Sequence, residues 1–165
     1  MRILVCVKRV PLTGASDHLV SEAVYLEDPD GLGIEIYRDR PRDTWRFEGG
    51  EVAMATEPLD LDDVVREAGA EQPWTTLDAG TRIGHVHLHV PDLAQAEARY
   101  CDDIGFTPML RRYPGALFVA AGAYHHHLGL NVWAGAGAPP PPAEAVGLRG
   151  FTIAARELTP GVVLD

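Results

Sequence analysis

Residues 85–90, HVHLHV, alternate three histidines with three aliphatic residues, which is the two-residue period of a β-strand. His85, His87 and His89 therefore share one face of the predicted strand, and the aliphatic residues share the other. Directly afterwards, Asp92 is placed to cap a helix, with a glutamine three positions on as in a capping box. The aliphatic face can pack against that helix, so the histidine face must look into water or into a polar cavity.

The pattern continues as a regular series of elements up to residue 133. The predicted helix contains LAQAEARYCDDI and ends at Gly105. Three further strands are predicted in FTPMLRRY, ALFVAAG and YHHHLGLNVW. Residues 81–133 are therefore predicted to form one complete βαβββ unit, and the fold class that we predict for the chain is α+β.

A β-hairpin is predicted nearer the start of the chain, in SEAVYLEDPDGLGIEIY. Its turn is DPDG, in which Pro29 presets the backbone dihedral angle and Gly31 permits a positive φ. On the second arm Ile34 and Ile36 share one face, whereas Glu35 shares the opposite face with a tyrosine.

We expect one domain over residues 1–165. Its predicted segments are a hairpin in 14–40, a connection in 41–80, the complete unit in 81–133, a Pro/Ala/Gly linker in 134–148 and a last strand in 149–165. RILVCVKRV, near the start, predicts one more strand. The connection contains a short helix, DLDDVVREAG, with Asp60 as its N-cap and Gly69 at its end.

The net charge disfavours two classes of partner, and the cysteine content indicates a cellular compartment. With 14 basic and 24 acidic residues the net charge is -10, which disfavours nucleic acid and anionic membrane surfaces. The two cysteines form neither a disulfide framework nor a CxxC motif, as expected of a reduced cytoplasmic protein. No apolar run is long enough to span a membrane or to serve as a signal peptide.

Six of the seven histidines lie in HVHLHV and YHHHLGLNVW. On an extended strand His125 and His127 would share a face with Asn131, and His126 would lie on the opposite face. Histidines on two strands of one unit favour a metal site, and a solvent-facing polar surface is the alternative. Imidazole suits iron, zinc, nickel and copper, and one added carboxylate would give a facial triad with open coordination positions.

Several stretches resemble a known superfamily. RIGHVHLHVPDLAQAEARYCDDIGF resembles the first strand and helix of a vicinal oxygen chelate module, the unit of glyoxalase I, bleomycin-resistance proteins and extradiol dioxygenases. SEAVYLEDPDGLGIEIYRDRP resembles the closing hairpin of such a module. MATEPLDLDDVV and GAYHHHLGLNVWAGAGAPPPP are similar to the catechol 2,3-dioxygenase branch. The resemblance implies that the chain is a truncated or rearranged member, with the end of one module, all of the next and the start of a third.

The resemblance also implies site residues. It places metal ligands at His85, Glu35 and His127, and His87 or His89 would be the acid–base group. The implied metal is Fe(II), with Zn(II), Mn(II) or Ni(II) as alternatives, and the implied substrate is a small aromatic vicinal diol. A non-catalytic binding protein and a glyoxalase-like enzyme are the alternatives within the superfamily.

The resemblance further predicts how the modules pair. Such modules form a cup in pairs, so the second module must be split between the ends of the chain or completed by a partner chain. We expect a homodimer in either case, because an unpaired curved sheet would expose a long edge.

Overall fold

The computed structural model describes residues 7–8, 14–28, 30–68 and 79–154. The chain divides into two compact units that alternate along the sequence. The first unit contains residues 1–46 and 53–84, and the second contains residues 47–52 and 85–165. The described parts show a mixed α/β protein with antiparallel and mixed sheets and few helices, as the sequence predicts.

The first unit is built on an antiparallel sheet of five strands. These strands are β1 (Val7–Lys8), β2 (Ala15–Asp17), β3 (Ser21–Glu27), β4 (Gly33–Asp39) and β7 (Glu57–Pro58). Their spatial order is β1-β4-β3-β2-β7. The predicted hairpin forms the centre of the sheet, and its register places Tyr25 directly opposite Glu35.

The turn of the hairpin is held by Asp28. Its carboxylate oxygen Oδ1 accepts hydrogen bonds from the backbone N–H groups of Asp30, at 2.9 Å, and Leu32, at 2.8 Å. Gly31 has a φ of +78°, which a residue with a Cβ adopts only with strain. The turn therefore fixes the register that brings the residues of β3 and β4 together.

The connection contains the predicted short helix, α1 (Leu61–Ala68). The Asp60 side chain accepts a hydrogen bond from the backbone N–H of Asp63 at 3.0 Å, which confirms the predicted N-cap. Before this helix, a 3₁₀ turn at Arg42–Thr44 leads to Trp45, a buried residue whose indole N–H donates to the carbonyl of Arg40.

The second unit places one helix on a four-stranded mixed sheet. Its elements are β8 (Val86–His89), α2 (Leu93–Glu97), a π-helical continuation (Ala98–Asp103), β9 (Thr107–Leu110), β10 (Ala116–Ala120) and β11 (Leu128–Asn131). The spatial order is β8-β11-β10-β9, and β8 runs parallel to β11. One strand, the helix and then three strands follow one another along residues 86–131.

The core of this unit lies between the sheet and the helix. Ala96 of α2 packs with four buried residues of the two central strands, Leu117, Val119, Leu128 and Leu130. The aliphatic residues of β8 pack against the same cluster. The predicted cap is present, because Asp92 Oδ1 accepts a hydrogen bond from the backbone N–H of Gln95 at 2.8 Å. The other face of the sheet is thereby left for the histidines of β8.

A short ribbon from the predicted connection belongs to this second unit. It consists of β5 (Phe47–Glu48) and β6 (Glu51–Val52), joined by two glycines of positive φ. Arg112 donates to Glu51 at 2.8 Å. Partial burial raises the pKa of the Glu51 carboxyl, but hydrogen bonds from Arg112 and the Arg111 backbone outweigh it, so the pKa lies below its usual value.

The last predicted strand is not seen where the structure can be described. Residues 149–154 form neither strand nor helix, and residues 155–165 lie outside the described residues. A strand needs a neighbour to accept its ladder hydrogen bonds, and none of the described sheets includes this segment. Among the described residues, no helix is both long and apolar enough to cross a membrane.

Candidate metal centre

Three histidines of the second unit converge on one face of its sheet. The ring centroids of His85 and His126 are 4.2 Å apart, those of His85 and His87 are 5.1 Å apart, and those of His87 and His126 are 5.6 Å apart. One nitrogen from each ring lies within 4.8 Å of the other two. We call His85, His87 and His126 the histidine cluster.

The strand β8 supplies two members of the histidine cluster. His85 immediately precedes this strand and His87 lies within it, so the two side chains are on the same face. The intervening Val86 and the following Leu88 pack on the helix-side core. The burial of those aliphatic residues therefore directs both imidazoles to the opposite face.

The third member of the histidine cluster is His126, not the expected His127. The Nδ1 atom of His127 accepts a hydrogen bond from the backbone N–H of Ala121 at 3.1 Å, and its ring lies 4.9 Å from that of Tyr124. Strand β11 begins only at Leu128, and the chain bends at His125 and His127 before it, so the alternation of a strand does not extend to residues 124–127. This bend moves His126 to the face on which an extended strand would have placed its neighbours.

His125 is hydrogen-bonded to the histidine cluster. It is 0% exposed, and its Nδ1 atom lies 2.7 Å from Nδ1 of His126. The ring of Tyr124 packs against that of His125, with centroids 4.1 Å apart. Because Nδ1 of His126 hydrogen-bonds to His125, a metal bound by His126 would have to be held by its Nε2 atom.

Aromatic side chains border the histidine cluster. The ring of Phe118 lies 4.8 Å from that of His126 and 6.1 Å from that of His87. Tyr113 packs edge-on against Phe118, with centroids 5.6 Å apart. An apolar border lowers the local dielectric constant and so strengthens electrostatic interactions at the cluster.

The donor set of the histidine cluster fits a divalent transition metal. Three neutral imidazoles are borderline ligands that suit iron, zinc, nickel and copper. His85 is 3% exposed and His126 is 7% exposed, so water competes little for their nitrogens. A metal held there would have three imidazole ligands available from the chain, and water or substrate would fill its other coordination positions.

His89 and Glu35 are not members of the histidine cluster. His89 is the exposed last residue of β8. Glu35 belongs to the first unit, whereas the histidine cluster belongs to the second. His85 is therefore the one expected ligand that the structure brings into the cluster, together with His87, the expected acid–base group.

Glu35 is itself part of a small polar group in the first unit. It is 6% exposed, and the Tyr25 hydroxyl donates to its Oε1 atom at 3.4 Å. Nε2 of His18 hydrogen-bonds the same hydroxyl and lies 3.9 Å from Oε1. Nδ1 of His18 donates to the carbonyl of Ala55 at 2.8 Å. A buried carboxylate is thus connected to a histidine through a phenol.

His18 and Tyr25 are not among the residues predicted from the sequence. The DPDG turn fixes the hairpin register, and that register pairs Tyr25 with Glu35, so this contact could have been found from the sequence. His18 lies between β2 and β3, where no strand pattern predicts the direction of its side chain.

The sequence was compared with protein families, solved structures and curated proteins. No family model matches the sequence, and no solved structure matches it. Among curated proteins the chain is similar to a dioxygenase. That relative is the catechol-2,3-dioxygenase of Bacillus subtilis strain 168, which is 53% identical over 143 residues. The match covers 85% of this chain and 50% of the relative, so the chain spans about half the length of the protein it matches.

Proposed function

We propose that this chain is a metal-dependent protein of the extradiol dioxygenase type, with catechol or a similar aromatic vicinal diol as its substrate. The histidine cluster carries the proposal, because it gathers three imidazole nitrogens within 4.8 Å of one another. The similarity to a catechol-2,3-dioxygenase supports the reaction class. HVHLHV also resembles the ligand-bearing strand of the family, and this resemblance independently supports a metal site on the same face of the sheet.

In this proposal His85, His87 and His126 hold the metal. A divalent ion there would supply a Lewis acid to which the two oxygens of a vicinal diol can coordinate. Phe118 would provide an apolar wall for an aromatic ring, since it borders two of the three imidazoles. His89 lies on the histidine-bearing face of β8 and is the candidate to accept and return a proton.

We also propose how the modules are arranged. Residues 81–133 would be a complete vicinal oxygen chelate module. The first-unit sheet, which includes the hairpin, would be part of a second module that is split or completed by a partner chain. A homodimer would then form, and light scattering would report a particle of twice the 17.9 kDa chain mass at micromolar concentration. A monomer under those conditions would contradict the proposed pairing.

The test compares metal binding by His85→Ala, His126→Ala and His127→Ala proteins with that of the parent protein. Calorimetry with Fe(II) under argon, and with Zn(II), gives the affinity, and oxygen uptake with catechol gives the activity. We expect the first two variants to lose at least about tenfold in affinity, as is typical when a ligand or its support is removed. His127→Ala is the matched control from the same histidine run and should bind like the parent.

A Glu35→Gln protein tests the ligand that the resemblance implies in the first unit. Loss of affinity in this variant and in His127→Ala, but not in His126→Ala, would favour the family's ligand set over the histidine cluster. If the parent binds no metal at micromolar concentration, the proposed function is wrong. If it binds metal and catechol without consuming oxygen, it is a binding protein of the same superfamily.

A further inference from the structure

We propose that His125 is a positioning residue that fixes the tautomer and the ring orientation of His126. This inference rests on the proposed function of His126 as a metal ligand. Its basis is the 2.7 Å separation of the two Nδ1 atoms, which is a hydrogen-bond distance.

A hydrogen bond between two imidazole nitrogens needs one protonated and one unprotonated partner. A neutral histidine carries a single ring proton, so the direction of this bond also determines which other nitrogen has a lone pair. If His125 were the donor, the proton of neutral His126 would lie on Nε2, and that nitrogen could not bind a metal. If His126 is the donor, its Nδ1 carries the proton and its Nε2 carries the lone pair.

The second direction is the one that a metal site requires. Histidine ligands commonly donate their other ring N–H to a neighbouring acceptor, which fixes the ring and raises the basicity of the coordinating nitrogen. Here the acceptor would be Nδ1 of His125. His125 is 0% exposed and His126 is 7% exposed, so solvent competes little for this bond.

The stacking of Tyr124 holds His125 in place. The Tyr124 and His125 rings lie 4.1 Å apart at an angle of 34°, whereas the His125 and His126 rings meet at 58°. One face of His125 is thus packed while its edge is presented to His126. The proposed ligand His126 and the residue that orients it, His125, are therefore consecutive in the bent segment before β11.

Two substitutions at His125 separate hydrogen bonding from packing. In His125→Phe the ring volume is largely kept and the acceptor is lost. In His125→Asn the side-chain amide oxygen can occupy the position of Nδ1 and still accept the hydrogen bond. His127→Phe is the matched control, because His127 is an adjacent histidine whose Nδ1 bonds a backbone amide instead. Circular dichroism establishes that each variant is folded.

The first readout uses metal-free protein and measures the nitrogen chemical shifts of the His126 ring by NMR. We expect the Nδ1–H tautomer in the parent, in His125→Asn and in His127→Phe, and a mixture of tautomers in His125→Phe. The second readout is Zn(II) affinity, which should fall about 10- to 100-fold in His125→Phe and much less in His125→Asn.

An Nε2–H tautomer in the parent, or an unchanged tautomer and affinity in His125→Phe, would overturn the inference. So would an equal loss of affinity in His127→Phe. If the parent fails to bind metal, the proposed function fails, and the tautomer measurement on metal-free protein still decides whether His125 orients His126.

Discussion

Gly129 gives the sharpest test of how the histidine cluster is packed. It lies in β11 directly opposite His87 in the parallel ladder with β8. A Cβ atom added at Gly129 would lie 2.7 Å from both Cε1 and Nδ1 of the His87 ring and 3.1 Å from Cγ. The imidazole therefore lies across the glycine, and Gly129→Ala should push it out of the cluster.

The size of the effect follows from these distances. Ordinary contact begins at 3.4 Å, so the His87 ring must move by about 0.7 Å, and it cannot do so without disturbing its neighbours. Overpacking of this kind costs about 1–3 kcal/mol of unfolding free energy. Gly129 has no positive φ, so the backbone itself accepts alanine. In a protein that lacks the His87 ring, Gly129→Ala should raise the free energy of unfolding by about 0.4–1 kcal/mol, because alanine lowers the conformational entropy of the unfolded chain.

The assay is urea denaturation of the parent, Gly129→Ala, His87→Ala and the double variant. We expect the sign of the Gly129→Ala effect to reverse when His87 is absent, with a coupling energy of about 1–3 kcal/mol. Gly150→Ala, at a position with open space around it, is the control and should be near neutral. Equal effects of Gly129→Ala in both backgrounds would refute the argument that the ring is what occupies this space.

Three further predictions concern a helix cap, a core leucine and the Cys101 thiol. Removing the cap with Asp92→Ala should cost about 0.5–2 kcal/mol in urea denaturation, and Asp92→Ser should recover most of it; equal losses would contradict a capping role. Leu130 is 0% exposed and Leu26 is 42% exposed, so Leu130→Ala should cost about 2–5 kcal/mol and Leu26→Ala no more than about 0.5, and similar losses would count against this core. Burial, with a smaller contribution from the Glu97 carboxylate, raises the pKa of the Cys101 thiol to about 11. Alkylation of Cys101 at pH 8 should therefore be roughly 100-fold slower than that of a free thiol and should accelerate as the pH rises towards 11; rapid reaction at pH 8 would argue against burial.

The parts of the fold that the sequence predicts are those with local signals. The DPDG turn and the Asp60 and Asp92 caps act within a few residues, and each is present in the structure. The short strands β2, β5, β6 and β7 were missed because they have only two or three residues each and form through pairing with distant segments. The π-helical turns after α2 carry no sequence signal that distinguishes them from an α-helix.

The candidate site shows the same division. His85 and His87 lie on one face because the period of β8 is regular, and this could be predicted from HVHLHV alone. The choice between His126 and His127 could not be predicted, because it depends on bends at residues 124–127 that interrupt the period. A shift of one residue in such a segment moves each side chain to the opposite face of the sheet.

The β5–β6 ribbon has a consequence for the order of folding. Residues 47–52 belong with the second unit, yet residues 53–84 of the first unit follow them in the chain before that unit resumes. The hydrogen bond from the Arg111 backbone to Glu51 spans 60 positions of sequence. During synthesis the ribbon leaves the ribosome well before its partners, and closing so long a loop costs entropy before the contacts repay it. A fragment that starts at residue 81 would lack the ribbon altogether, so no single cut in the chain separates the two units.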